Sequence, residues 1–295
     1  MSQTLSLKPV VLAAPDRGDD IQVRVTAPTT GTDLPVIVLA HGFGQSMTSH
    51  DPLVDHWAAH GFVVVQPTFL DSSTLGLTPT DPRFGNIWRV RVQDVSRVID
   101  DLGDIAAEVP GLADRVDLRR LAVAGHSWGG QTVGMHLGAR VVGEDGRPGP
   151  SAADPRVRAG VLLATTGIGG ADLSPFAQEH FAFMSPDFDE LTTPTLVVAG
   201  DHDQSQLSTR GPDWFTDVYR LSPGARALVT LFGGEHSLGG IHGYRQTDTT
   251  DESPARVDLV RRTSTAFLTA ALGLDAGAWD AVAGAPVEGG RIDVK

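Results

Sequence analysis

Short runs of β-branched and aliphatic residues alternate along the chain with longer stretches in which apolar residues return every three or four positions. The first pattern is that of strands and the second that of amphipathic helices. Strands are predicted over 8–12, 21–26, 35–40, 61–66, 120–124, 159–164, 195–200 and 227–232. The first two are short with polar residues between them, which suggests an antiparallel edge hairpin. Later runs such as Val36-Ile37-Val38-Leu39-Ala40 and Val63-Val64-Val65 are almost continuously apolar, as strands must be when helices cover both faces of a parallel sheet. A helix is predicted over 88–107, where Val92, Val95, Val98, Ile99, Leu102 and Ile105 share one face and Arg and Asp residues take the other. Two more are predicted over 127–137 and 258–272. Residues 143–155 read as an exposed loop. Residues 273–295, rich in Ala and Gly, read as a tail that wraps the surface or stays mobile. No repeat is visible, so residues 1–272 are expected to form one α/β domain with a mostly parallel sheet.

Composition narrows the chemistry. The 295 residues include no cysteine, which removes disulfides, thiolate metal sites and cysteine nucleophiles. A formal net charge of −13 opposes polyanionic partners, so neither nucleic acid nor an anionic membrane is expected. The N-terminus lacks a basic segment followed by an apolar one, and no apolar run is long enough to span a bilayer, so a cytoplasmic protein is expected. Oligomeric state is left open.

Gly125-His126-Ser127-Trp128-Gly129-Gly130 lies where the strand ending at Ala124 hands over to a helix, the context of a G-x-S-x-G nucleophile elbow. Ser127 sits at a sharp turn whose neighbours leave no room for side chains at 125 and 129. A serine hydroxyl needs a base, and the base needs an acid that fixes its tautomer. Both are expected later in the chain, past the carboxyl ends of strands. The acid is Asp203 in preference to Asp201, which reads as a turn former. The base is His236 in preference to His242, which reads as a surface or rim histidine. His126 reads as structural packing and His202 as exposed. Oxyanion donors are expected from the backbone N–H groups of Trp128 and, in the turn His41-Gly42-Phe43-Gly44, of Phe43.

These residues resemble the α/β-hydrolase superfamily from about Pro35 to Leu272. The stretches 35–44, 56–65 (His56-Trp57-Ala58-Ala59-His60-Gly61-Phe62-Val63-Val64-Val65) and Arg91-Val92-Gln93-Asp94-Val95 are similar to its chlorophyllase, platelet-activating-factor acetylhydrolase and dienelactone-hydrolase-like branch. The resemblance implies an eight-stranded sheet and carboxylic ester hydrolysis, and its usual acid maps onto Asp203. Dienelactone hydrolases proper use cysteine, which this chain lacks. Polyester-degrading relatives usually carry Met after the serine and Trp after the sixth strand, where this chain has Trp128 and Thr165-Thr166-Gly167-Ile168.

Residues 169–193 are too few for a full cap domain and suggest a small lid. Phe181, Phe183 and Met184 from that segment, with Phe69, Leu70 and Trp214, are candidates for an apolar substrate pocket. Arg89, Arg91 and Arg220 read as solvated helix charges. The H-E-x-x-H spacing of zinc hydrolases is absent, and no phosphate or dinucleotide loop opens a helix, so neither metal nor cofactor is expected. The expected activity is cofactor-free serine hydrolysis of a small hydrophobic ester or lactone. Its rivals are perhydrolysis, carbon–carbon cleavage or elimination by the same triad, or a catalytically silent ligand binder.

Overall fold

The computed structural model describes residues 2–78, 80–244 and 249–295. Its strands are β1 (Thr4–Leu12), β2 (Ile21–Pro28), β3 (Leu34–Ala40), β4 (Val63–Pro67), β5 (Val116–His126), β6 (Arg140–Val141), β7 (Val157–Leu163), β8 (Pro186–Asp187), β9 (Thr195–Gly200), β10 (Ala225–Leu231) and β11 (Gly290–Val294). Its helices are α1 (Asp51–Ala59), α2 (Ile87–Asp100), α3 (Leu102–Ala107), α4 (Trp128–His136), α5 (Pro175–His180), α6 (Asp217–Leu221), α7 (Pro254–Ala271) and α8 (Ala278–Ala283).

Among the described residues nine strands form one sheet in the order β1-β2-β4-β3-β5-β7-β9-β10-β11. The run from β4 to β10 is parallel, while β1, β2 and β11 add antiparallel edges. Every residue of β3 and β9 is buried, which is why their sequences are continuously apolar. Right-handed crossovers put helices on opposite faces wherever the chain reverses its direction across the sheet. The step from β3 through α1 to β4 runs one way, and the step from β4 through α2 and α3 to β5 runs the other. Accordingly α1 packs with α7, tied by the Trp57 Nε1–H donated to Ser264 Oγ at 3.1 Å, and α2 packs with α4. This is the α/β-hydrolase arrangement.

Three departures from the pattern-based expectation have local causes. The helix expected over 88–107 breaks at Asp101, whose φ and ψ of −97° and 11° leave the helical region. Helix α7 starts four residues early, because Ser253 Oγ accepts the Arg256 N–H and Pro254 takes the first turn. The segment 273–295, expected as a tail, supplies α8 and the ninth strand, β11. Among the described residues no helix is long and apolar enough to cross a membrane.

Candidate active site

Strand β5 ends at His126 and α4 begins at Trp128, so Ser127 alone makes the turn between them. Its φ of 55° and ψ of −124° put a non-glycine residue in a strained region that the surrounding structure must hold. The flanking glycines make that possible. A Cβ on Gly125 would lie 2.3 Å from the Gly129 carbonyl oxygen, and one on Gly129 would lie 2.2 Å from that of Ala40.

The loop after β10 brings His236 Nε2 to 2.8 Å from Ser127 Oγ. On the other side of the ring, His236 Nδ1 meets Asp203 Oδ2 at 2.9 Å and Oδ1 at 3.2 Å. Asp203 follows β9 and has no solvent exposure. Burial raises its pKa, an effect the hydrogen bond from His236 partly offsets. Asp201 is turned elsewhere: its Oδ1 accepts the Gly233 N–H at 2.6 Å and stitches the acid loop to the histidine loop. The His202 side chain is exposed, 4.0 Å from Asp201. One further residue, which the motifs did not reveal, shapes the histidine loop. Buried Asp251 accepts the N–H groups of both Glu235 and Gly239 at 2.8 Å, bracketing His236. No sequence signal marked it, because it stands 15 positions beyond His236, in the run-up to a helix.

The turn after β3 approaches from the opposite side. Gly42 N–H donates to Gln45 Oε1 at 3.0 Å and Gly44 N–H to Asp71 Oδ2 at 3.1 Å, while between them the Phe43 N–H has no acceptor among the described residues. The Trp128 N–H stands in the first turn of α4, where backbone donors have no intrahelical partner. Behind this turn lies Arg91, read from sequence as a solvated helix charge but fully buried in the structure. Arg91 Nη1 donates to both Asp71 oxygens at 2.7 and 2.8 Å, Nε donates to Thr132 Oγ1 at 3.1 Å, and Nη2 donates to the His41 carbonyl. The guanidinium also lies 4.1 Å from the centre of the Phe69 ring and 4.8 Å from that of Trp128. Burial pushes the Asp71 carboxyl upward, but Arg91, His41 and the Gly44 amide outweigh it and hold the pKa below its ordinary value. Three residues along α2, Asp94 accepts from buried Arg17 at 2.9 Å. Arg91 and Asp94 therefore face inward, and Arg91 braces the turn before Phe43.

A cleft of about 580 Å³ opens over Ser127 and reaches His126, His236 and His242. Its outer part is lined by Phe43 and by hydroxyls, among them Ser46, Thr48, Ser49, Ser73 and Thr74. The apolar residues expected to line a pocket fall elsewhere. Phe69, Leu70, Met184 and Trp214 are core residues, each at most 4% exposed. Phe69 is covered by His41 and Arg91, and Trp214 is fixed by its Nε1–H to the Ile168 carbonyl at 2.8 Å. Half-buried Phe183 stacks on Trp128, which lies 5.6 Å from Phe43, and Phe181 meets Phe183 edge-on. These rings form one stacked aromatic cluster in which Trp128 is 3% exposed and Phe43 lines the cleft. His242, read as a rim histidine, lines the cleft but is only 8% exposed, packed edge-on against His126. His126 is buried, and its Nε2–H donates to the His236 carbonyl at 2.9 Å.

Two comparisons bear on this arrangement. The Chlorophyllase family profile matches residues 13–140. Chlorophyllase-1 of Arabidopsis thaliana is 25% identical over 194 residues, which is 65% of this chain and 51% of that protein. The chain thus matches about half the length of this curated relative. The resemblance to the chlorophyllase branch of the α/β-hydrolases is borne out. The profile match takes in the turn at Phe43 and the elbow at Ser127 and ends before Asp203 and His236.

Proposed function

We propose that the protein is a cofactor-free serine hydrolase of carboxylic esters, lactones being the cyclic members of that class. The observation that carries this reading is the unbroken hydrogen-bonded line from Ser127 Oγ through His236 to a fully buried Asp203, at 2.8 and 2.9 Å. In the proposed cycle Ser127 Oγ attacks the ester carbonyl carbon while its proton passes to His236 Nε2. The resulting oxyanion is held by the N–H groups of Phe43 and Trp128. Asp203 fixes the ring with the proton on Nδ1 and stabilises the imidazolium. Collapse breaks the bond to the alcohol, which leaves with the proton from His236. Water then repeats the sequence on the acyl-serine and releases the acid.

The lining of the cleft supports a substrate of mixed character. Phe43 offers an apolar surface, and the hydroxyls of Ser46, Thr48, Ser49, Ser73 and Thr74 accept polar groups. An open cleft favours small and medium esters over an extended lipid buried along its length.

The test uses a fluorophosphonate and p-nitrophenyl butyrate. Labelling is expected at Ser127, with a burst of one p-nitrophenol per chain if deacylation is slower than acylation. Ser127→Ala is expected to lower kcat by at least about 10⁴-fold, and Asp203→Asn by about 10³–10⁴-fold with little change in KM. Full turnover by Ser127→Ala, or labelling at another serine, would refute the reading.

A further inference from the structure

Beside the cleft, three histidines from three distant parts of the chain converge. His50 precedes α1, His126 ends β5, and His242 follows the loop of His236. They are 0%, 1% and 8% exposed, and one ring nitrogen from each lies within 4.8 Å of the other two. The proposed hydrolysis uses only one of their ring groups, the His126 Nε2–H that holds the His236 carbonyl.

Burying three imidazoles against one another is costly unless their nitrogens find partners. Both nitrogens of His50 are buried with no hydrogen-bond partner among the described residues. His126 Nε2 and His242 Nε2 are 3.3 Å apart. Two nitrogens bound at 2.0–2.1 Å to one tetrahedral ion stand about 3.3 Å apart, so this pair already has the required spacing. A ring nitrogen of His50, within 4.8 Å of the others, would close the third side by a small inward side-chain movement.

We propose that His50, His126 and His242 form a binding site for a divalent transition-metal cation. Three imidazoles without a carboxylate select borderline ions such as Zn²⁺, Co²⁺ or Ni²⁺ over Mg²⁺ or Ca²⁺. The ion reaches the site through the cleft, which touches His126 and His242 and leaves a fourth position for water. Taking up the ion at His126 Nε2 moves the ring proton to Nδ1 and gives up the bond to the His236 carbonyl. The cation site and the serine site are thus neighbours that share one histidine, although neither needs the other to be detected.

Equilibrium dialysis against Co²⁺, with metal analysis and visible absorption, tests the site. The background carries His56→Gln and His60→Gln, since those two rings stack at 4.0 Å near the end of α1 and offer a surface pair of their own. One Co²⁺ per chain is expected, with the intense bands of four- or five-coordinate cobalt. His50→Asn, chosen because asparagine tolerates the φ of 68° at that position, and His242→Gln are each expected to weaken binding at least about tenfold. Absence of saturable binding, or binding unchanged in both variants, overturns the proposal. X-ray absorption on the cobalt-loaded protein with all three histidines intact gives an answer independent of how the variants fold. Three imidazoles in the first shell support the site and fewer refute it.

Discussion

At Arg91 a cation without solvent exposure is matched by Asp71, and what a substitution does there depends on what it leaves behind. Arg91→Met strands the Asp71 carboxylate in the interior, at an expected cost of about 3–5 kcal/mol in urea unfolding. Arg91→Met combined with Asp71→Leu removes both charges and should recover most of that loss, since a buried pair can be replaced by apolar residues at little net cost. Turnover should not recover with it. Asp71 Oδ2 also holds the Gly44 N–H, and Arg91 Nη2 holds the His41 carbonyl, so the double variant loses both fixtures of the turn that presents the Phe43 N–H. A double variant as unstable as the single one, or one that is stable and fully active, would contradict this account.

Among the elements, those that carry the candidate chemistry were the most legible in the sequence. Strands β3, β5 and β9 are apolar where they cross the middle of the sheet, and the residues just past their ends are where Phe43, Ser127 and Asp203 stand. The N-terminal part of β5, Val116-Asp117-Leu118-Arg119, was not legible because its side chains lie largely outside the helix-covered core, with Leu118 42% exposed. Strand β11 escaped for a related reason. As an edge strand it alternates partly buried and charged residues, Gly290-Arg291-Ile292-Asp293-Val294, and lacks a continuous apolar run. Its pairing with β10 covers a strand that would otherwise expose its hydrogen-bonding edge. Ending the chain after Ala285 should therefore lower Tm by about 5–10 °C and promote aggregation, while Ser127 remains reactive to fluorophosphonate in the folded fraction. Scanning calorimetry with light scattering reads the first two. A truncated chain with unchanged melting and solubility would show that β11 adds nothing to the sheet.

In the whole molecule, sequence reading succeeded where a residue's role is announced by its immediate neighbours and failed where it is set by partners far along the chain. Ser127, between two glycines at a strand end, belongs to the first kind. Asp251, Arg91 and the His50–His126–His242 group belong to the second, because nothing local shows that they are buried together. That second kind controls the response to acid. Burial lowers the pKa of His41 to about 3 and of His136 to about 4, and holds His50 and His126 well below 6.5. In the unfolded chain each takes a proton near pH 6.5, so between that pH and the folded-state pKa the unfolded state binds more protons and stability falls as pH falls. Asp94, raised by burial to about 6 despite Arg17, and Asp203, raised in the same direction, oppose this, because the folded state then binds the extra proton. His56, lowered to about 4, and Asp55, raised by burial, add one group to each side, so among the described residues five histidines outweigh three carboxyls, and the expected loss between pH 6.5 and 4.5 is about 1–3 kcal/mol per pH unit. Urea midpoints across that range measure it. His136→Gln, which keeps a polar group near Ser96 and Thr132 but cannot titrate, should flatten the slope by up to about 1.4 kcal/mol per pH unit. Stability that stays level or rises on acidification would mean that the buried histidines are not held neutral in the folded protein.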